Sequence, residues 1–171
     1  MNPLYLLNFV IPQGPTGPQG ATGPTGPTSS LAAYGGRYNT ISSNINLGIG
    51  TQTQVPLATT MPNSNITYTP TNSLTVTQAG VYEINYYMLV SATVATTLTM
   101  AVRSNGTNIP STVTARPLSV GTNSVFSGST IVTLPANSVI DMAVSALIAL
   151  GVTLGSGVSA SLTIKKISPI N

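Results

Sequence analysis

Tyr82, Ile84, Tyr86, Met88 and Val90 alternate with Glu83, Asn85, Tyr87 and Leu89. The same period of two sets Leu98, Met100 and Val102 against Thr97, Thr99, Ala101 and Arg103, and Leu162 and Ile164 against Thr163 and Lys165. Successive side chains of a strand point to opposite faces, so this spacing predicts half-buried β-strands, rich in the Val and Thr that pleated surfaces favour. Turn signals separate the runs at Gly80, Asn105-Gly106, Gly121, Pro135-Ala136-Asn137 and Gly155 to Gly157. Asn105-Gly106, between Val102 and Ile109, is the sharpest hairpin signal, because both residues tolerate the positive φ of a tight turn. No window carries a helical period. About ten short strands result, and even spacing of this kind predicts an all-β sandwich or jelly roll. Val81 and Leu89 lie opposite Tyr82 and Met88, so this strand is apolar on both faces. A sheet wetted on one side would not need that, and the second face is expected to pack on neighbouring subunits.

The pattern changes before residue 31. Glycine recurs at Gly14, Gly17, Gly20, Gly23 and Gly26 without a missed beat, and proline fills four of the five positions that follow. This is a collagen repeat: three polyproline-II chains wind about one axis, and only glycine fits at its centre. The expected assembly is therefore a homotrimer. Residues 14–28 at ~3.1 Å each give a stalk of roughly 45 Å at most. So few triplets need a flanking domain to set the trimer. The chain thus divides into an apolar N-terminal peptide (1–13), a Gly-X-Y stalk (14–28) and a β head (29–171).

Composition narrows the chemistry. The 171 residues contain no cysteine, histidine or tryptophan, and only two acids, Glu83 and Asp141. Disulfides, thiolate metal sites and imidazole catalysis are excluded, and no serine has a histidine to activate it. With so little acid–base inventory the chain does not read as an enzyme, and no cofactor is expected. Charged residues make up 4% of the chain, against about a quarter in ordinary domains. A hydroxyl-rich, nearly uncharged surface suits a permanent assembly or a glycosylated one.

The net charge of +3 is spread over Arg37, Arg103, Arg116, Lys165 and Lys166 without a dense run, so nucleic acid is not an expected partner. No apolar stretch reaches the ~18 clean residues of a membrane span. The N-terminus lacks the basic start and small-residue cleavage site of a secretory signal. Glu83 or Asp141 would become a ring of three carboxylates on a threefold axis, able to hold Ca²⁺; otherwise each is solvated or paired with arginine. Asn65-Ile66-Thr67 and Asn105-Gly106-Thr107 match the N-glycosylation pattern. Lys165-Lys166, on a terminal strand, is expected to protect an edge or to be solvated.

A Gly-Pro-Thr stalk joined to a C-terminal β head resembles the collagen-like exosporium glycoproteins of bacterial spores. The head resembles the complement and tumour-necrosis-factor-like jelly roll. The residues that carry this are Ala33-Tyr34-Gly35, the run Ser73 to Tyr86 with its Gly80-Val81-Tyr82 step, Val102 to Gly106 and Ser124 to Gly128. The resemblance implies a trimer with a ten-stranded jelly roll per subunit, displayed on the spore surface. It also implies sugars on the stalk threonines Thr16, Thr22, Thr25 and Thr28. The stalk is shorter than a typical exosporium hair, which points to a polymerising relative such as an appendage fibre or its tip.

Leu4, Tyr5, Leu6, Leu7, Phe9, Val10 and Ile11 form the most apolar cluster of the chain. It is too short to span a membrane and is held away from its own head by the stalk, so it has to bury elsewhere. One expectation is that it docks into the head of the next trimer, giving a head-to-tail fibre, because such a contact does not close. Others are that it anchors a surface hair to a basal exosporium or coat protein, or that it is a remnant. A jelly-roll head can also act as a receptor- or glycan-binding tip.

Overall fold

The computed structural model describes residues 10, 12–21 and 32–170. Residues 32–170 form an antiparallel β-sandwich. In chain order its strands are β1 (Tyr34–Asn39), β2 (Asn44–Leu47), β3 (Thr53–Gln54), β4 (Thr59–Thr60), β5 (Ile66–Thr67), β6 (Leu74–Val76) and β7 (Gly80–Ala92). After these come β8 (Thr96–Ser104), β9 (Thr107–Asn108), β10 (Thr114–Leu118), β11 (Ser124–Leu134), β12 (Val139–Ala146), β13 (Leu150–Leu154) and β14 (Ala160–Ser168). A single 3-10 turn, Pro110–Thr112, interrupts them. Among the described residues there are fourteen strands where about ten were expected. The excess is β3, β4, β5 and β9, each two residues long, which are local pairings of loop segments too short to show a period.

The first sheet is organised by β7. β11 runs along one side of it from Ser124 opposite Val90 to Leu134 opposite Gly80. On the other side β14 pairs with its first half and β13 with its last residues. β1 then lies outside β14, β2 outside β13 and β4 outside β1. The second sheet is built on β8 and β12, with β10 and β9 beyond β8, β6 and β3 beyond β12, and β5 outermost. Lys165 and Lys166 therefore do not protect an edge. The last strand inserts between β1 and β7, in the interior of the first sheet.

The alternation read from the sequence becomes the core. Along β7 buried and half-buried residues alternate without exception. Tyr82, Ile84, Met88 and Val90 from β7, Leu162 and Ile164 from β14, and Phe126 from β11 face Leu98, Met100 and Val102 from β8 and Ile140, Met142 and Val144 from β12. A one-residue slip would turn each strand inside out, so the pattern fixes the register. Asn105 (φ 51°) and Gly106 (φ 79°) form the two-residue turn between β8 and β9, with Ser104 opposite Thr107. Gly128 lies opposite Tyr86 across β7 and β11, where any Cβ would run into the tyrosine ring.

Two polar clamps fasten the sandwich. On the outward side of the second sheet Arg103 and Asp141 are cross-strand neighbours. Arg103 donates from Nε and Nη2 to the two carboxylate oxygens, each at 2.7 Å, and Gln54 Nε2 donates to Oδ2 at 2.9 Å. Arg37 is the second clamp. It points into the sandwich from β1, 7% exposed, with its guanidinium 5.6 Å from the Tyr68 ring centroid. Its Nη1 donates to the Tyr68 and Ser73 carbonyls at 3.2 and 3.4 Å, which ties the 61–73 loop to β1.

Truncating Met88 to alanine, a fully buried side chain on the central strand, should destabilise the head by roughly 2–5 kcal/mol through lost burial and a residual cavity. Urea unfolding followed by tyrosine fluorescence would measure it. Asp141→Asn should cost roughly 1–3 kcal/mol by leaving a half-buried guanidinium without its counter-charge. An unchanged urea midpoint in that variant would show that the clamp is neutral.

Candidate functional site

Among the described residues no group of three or more potential metal-binding side chains comes together. Both carboxylates already have cations within the subunit. Asp141 is held by Arg103 at 2.7 Å. Glu83 pairs with Lys165 at 2.8 Å across β7 and β14. The Lys165 ammonium, then the Asn85 amide, hold the Glu83 carboxyl below the ordinary carboxylate range. The Asp141 carboxylate raises the Arg103 pKa further, keeping the guanidinium charged. Nothing in this arrangement calls for Ca²⁺. Asn65 and Asn105, the residues of the two glycosylation-like triplets, both have positive φ and are spent on structure. Asn65 Nδ2 donates to the Ala32 carbonyl at 2.6 Å, and Asn105 Oδ1 accepts from the Val139 N–H at 2.8 Å.

What the head does present is an outward sheet face with several exposed apolar side chains. The outward side of the first sheet carries Val81, Tyr87 and Leu89 from β7, all half-buried, and Val125 and Ile131 from β11, 40% and 65% exposed. Tyr34, on β1, is 38% exposed on the same side. β1, β14, β7 and β11 are consecutive neighbours, so these side chains share one face. Beside Tyr34 a cavity of about 310 Å³ opens between Met61, Pro62, Asn85, Thr163 and Lys165. The two-sided apolar pattern of β7 identified this face in the sequence. The cavity was not readable, because the 61–62 loop that walls it has no periodic signal.

The remaining predicted positions fall in the N-terminal segments. Gly14, Gly17 and Gly20 lie in chain without regular secondary structure, and Thr16 among them is exposed. A Cβ at any of the three glycines would meet nothing within 4 Å in the lone chain. Val10 is 86% exposed. Leu4, Tyr5, Leu6, Leu7, Phe9, Ile11, Gly23, Gly26, Thr22, Thr25 and Thr28 lie outside the described residues. Among the described residues no helix is long and apolar enough to cross a membrane.

The fold is that of tumour-necrosis-factor ligands. An Eiger TNF structure from S. frugiperda superposes with a TM-score of 0.52 at 12% identity, covering 82% of this chain and 94% of that one. Murine APRIL superposes with a TM-score of 0.55 at 11% identity, covering 79% and 98%. Identities this low speak to architecture alone. A search of curated proteins gives no match. The sequence pattern of the BclA C-terminal domain, by contrast, matches residues 35–168, from β1 to the end of β14. The chain therefore belongs to the BclA C-terminal domain family, whose members are exosporium collagen-like proteins of the spore surface.

Proposed function

We propose that this protein is the structural subunit of a spore-surface fibre, built from homotrimers joined head to tail. The observation that carries the reading is the order of parts along the chain. An uncharged, strongly apolar peptide stands at one end, a Gly-X-Y stalk follows, and an exosporium-type head stands at the other.

Each part supports a step. The lone chain gives no steric reason for glycine at Gly14, Gly17 and Gly20. A triple helix does, because those positions then face two other chains. Gly23 and Gly26 continue the period. The stalk threonines Thr16, Thr22, Thr25 and Thr28 occupy the third position of their triplets. That position points away from the axis, where hydroxyls are open to sugar attachment. In the head, the outward side of the first sheet, where Val81, Tyr87, Leu89, Val125 and Ile131 flank the Glu83–Lys165 pair, is the surface on which three subunits meet. Tyr34 sits at its edge, six residues after Thr28, so the stalk delivers all three chains beside this face.

Trimerisation matters for docking. Seven apolar side chains, Leu4 to Leu7 and Phe9 to Ile11, contribute roughly 10–20 kcal/mol when buried. Ordering about a dozen residues costs a similar amount. A single peptide therefore nearly breaks even. Three peptides on one stalk bind with avidity, because the first contact raises the effective concentration of the others.

Negative-stain microscopy of the full-length chain should show filaments with heads spaced at ~70–90 Å, the stalk plus the length of a head. Deleting residues 2–11 should leave discrete trimers by light scattering. Filaments of normal length from that truncation would remove the docking role of the peptide. Gly20→Asp, placed at the centre of the stalk, should abolish the collagen-type circular dichroism signal while the β signal of the head persists.

A further inference from the structure

The two ends of the sandwich differ in character. The first sheet's register places Tyr34, Gly80 and Leu134 at the end where the stalk enters. Ala92, Leu47 and Leu150 mark the opposite, distal end. Four loops close the distal end: 48–52, 93–95, 119–123 and 147–149. They carry Leu147 (83% exposed), Ile49 (72%), Val120 (62%), Val94 (48%) and Ile148 (41%). None of the seven charged residues of the chain lies in these loops.

Two of the distal loops are fastened to strand ends. Ile49 bridges to Ala146 and Val120 bridges to Ala92. The Gly50 N–H donates to the Ala146 carbonyl at 3.0 Å, and the Gly121 N–H to the Ala92 carbonyl at 3.0 Å. Gly50 (φ 65°) and Gly121 (φ 68°) supply the left-handed turns that present Ile49 and Val120 outward. Beside Leu147 a depression of about 230 Å³ is lined by Thr97, Thr99, Ser145, Gly50 and Ala146. An apolar rim beside a row of hydroxyls suits an extended peptide, which buries its side chains on the rim and hydrogen-bonds its backbone to the floor.

We infer that this distal crown is the dock for residues 4–11 of a second copy of the chain. The inference rests on the fibre reading above and adds the surface that receives the peptide. Both surfaces are uncharged, so neither loses ionic hydration on contact. Reach decides between the chain's own peptide and another's. From the N-terminal end of the stalk to the crown is ~45 Å of stalk plus ~40 Å for a strand as long as β7. Thirteen extended residues span at most ~45 Å. The peptide therefore cannot fold back to its own crown, whereas a trimer approaching along the same axis brings its peptide there first.

The test uses the full-length chain. Leu147→Glu changes an exposed side chain, so folding and trimerisation stay intact by circular dichroism and light scattering. Placing a carboxylate in an apolar contact should reduce pelletable filament by about tenfold or more. Because the protein has no cysteine, introduced pairs report proximity cleanly. Leu7→Cys with Leu147→Cys should give a reducible ladder joining trimers under mild oxidation, whereas Leu7→Cys alone should stop within one trimer. Normal filaments from Leu147→Glu would overturn the crown as the dock, and an inter-trimer ladder from Leu7→Cys with Ala115→Cys instead would move the dock to the outward side of the second sheet; either outcome leaves the fibre intact. Absence of filaments from the unsubstituted chain would overturn the fibre reading itself, and the dock with it.

Discussion

Everything in the head hangs on β7. Its thirteen residues pair with β11 on one side and with β14 and β13 on the other. Its alternate side chains fill the middle of the sandwich. The strict alternation of Tyr82, Ile84, Tyr86, Met88 and Val90 fixes which face is core, and the register to β11 and β14 passes that choice to the whole first sheet. The opposite side chains, Val81, Tyr87 and Leu89, are half-buried even in the lone subunit. One strand thus specifies both the interior and a candidate contact face. If that face is the trimer contact, a substitution on either side of β7 has a distinct signature: lost stability on one, lost association on the other.

The scarcity of charge follows from the same design. Glu83 and Asp141 are neutralised by Lys165 and Arg103 inside the subunit, so little long-range field remains to hold copies apart. Arg37 is buried under Tyr68 against carbonyls and works as a fastener. A surface of this kind is a liability for a dispersed monomer and an asset for a subunit meant to stay assembled. Contacts built from apolar and hydroxyl groups are also insensitive to ionic strength, since there are few charges for salt to screen.

The sequence made the long strands legible because their period of two is sustained over many residues. β7, β8 and β14 stand where the alternation of Tyr82 to Val90, Leu98 to Val102 and Leu162 to Ile164 places them. The Asn105-Gly106 turn was equally plain, since its chemistry is local. Strand order was not legible. Lys165-Lys166 reads as an edge because it closes the chain, yet β14 lies inside the sheet, where Glu83 and Gln78 receive the two ammonium groups. Neighbour choice depends on distant segments that no local pattern encodes. Arg37 was hidden for a related reason: one cation at an inward position of β1 looks like any other until Tyr68 and Ser73 arrive from thirty residues away.

The two ends of the head differ in charge. Near the stalk lie Lys165, Lys166 and Glu83, around the edge of β1 where the chain enters. At the distal end lie Ile49, Val94, Val120, Leu147 and Ile148, with no charge among the loops that hold them. A subunit that repeats along an axis needs unlike ends, because identical ends pair and close. In the proposed fibre one chain supplies both ends, an apolar peptide before the stalk and an apolar crown beyond the head, farther apart than the peptide can span. The length of the Gly-X-Y segment is then a design variable, which would keep the peptide off its own head and set the spacing between successive heads. Adding or removing whole Gly-X-Y triplets should lengthen or shorten the axial repeat by ~9 Å each without altering the docking contact.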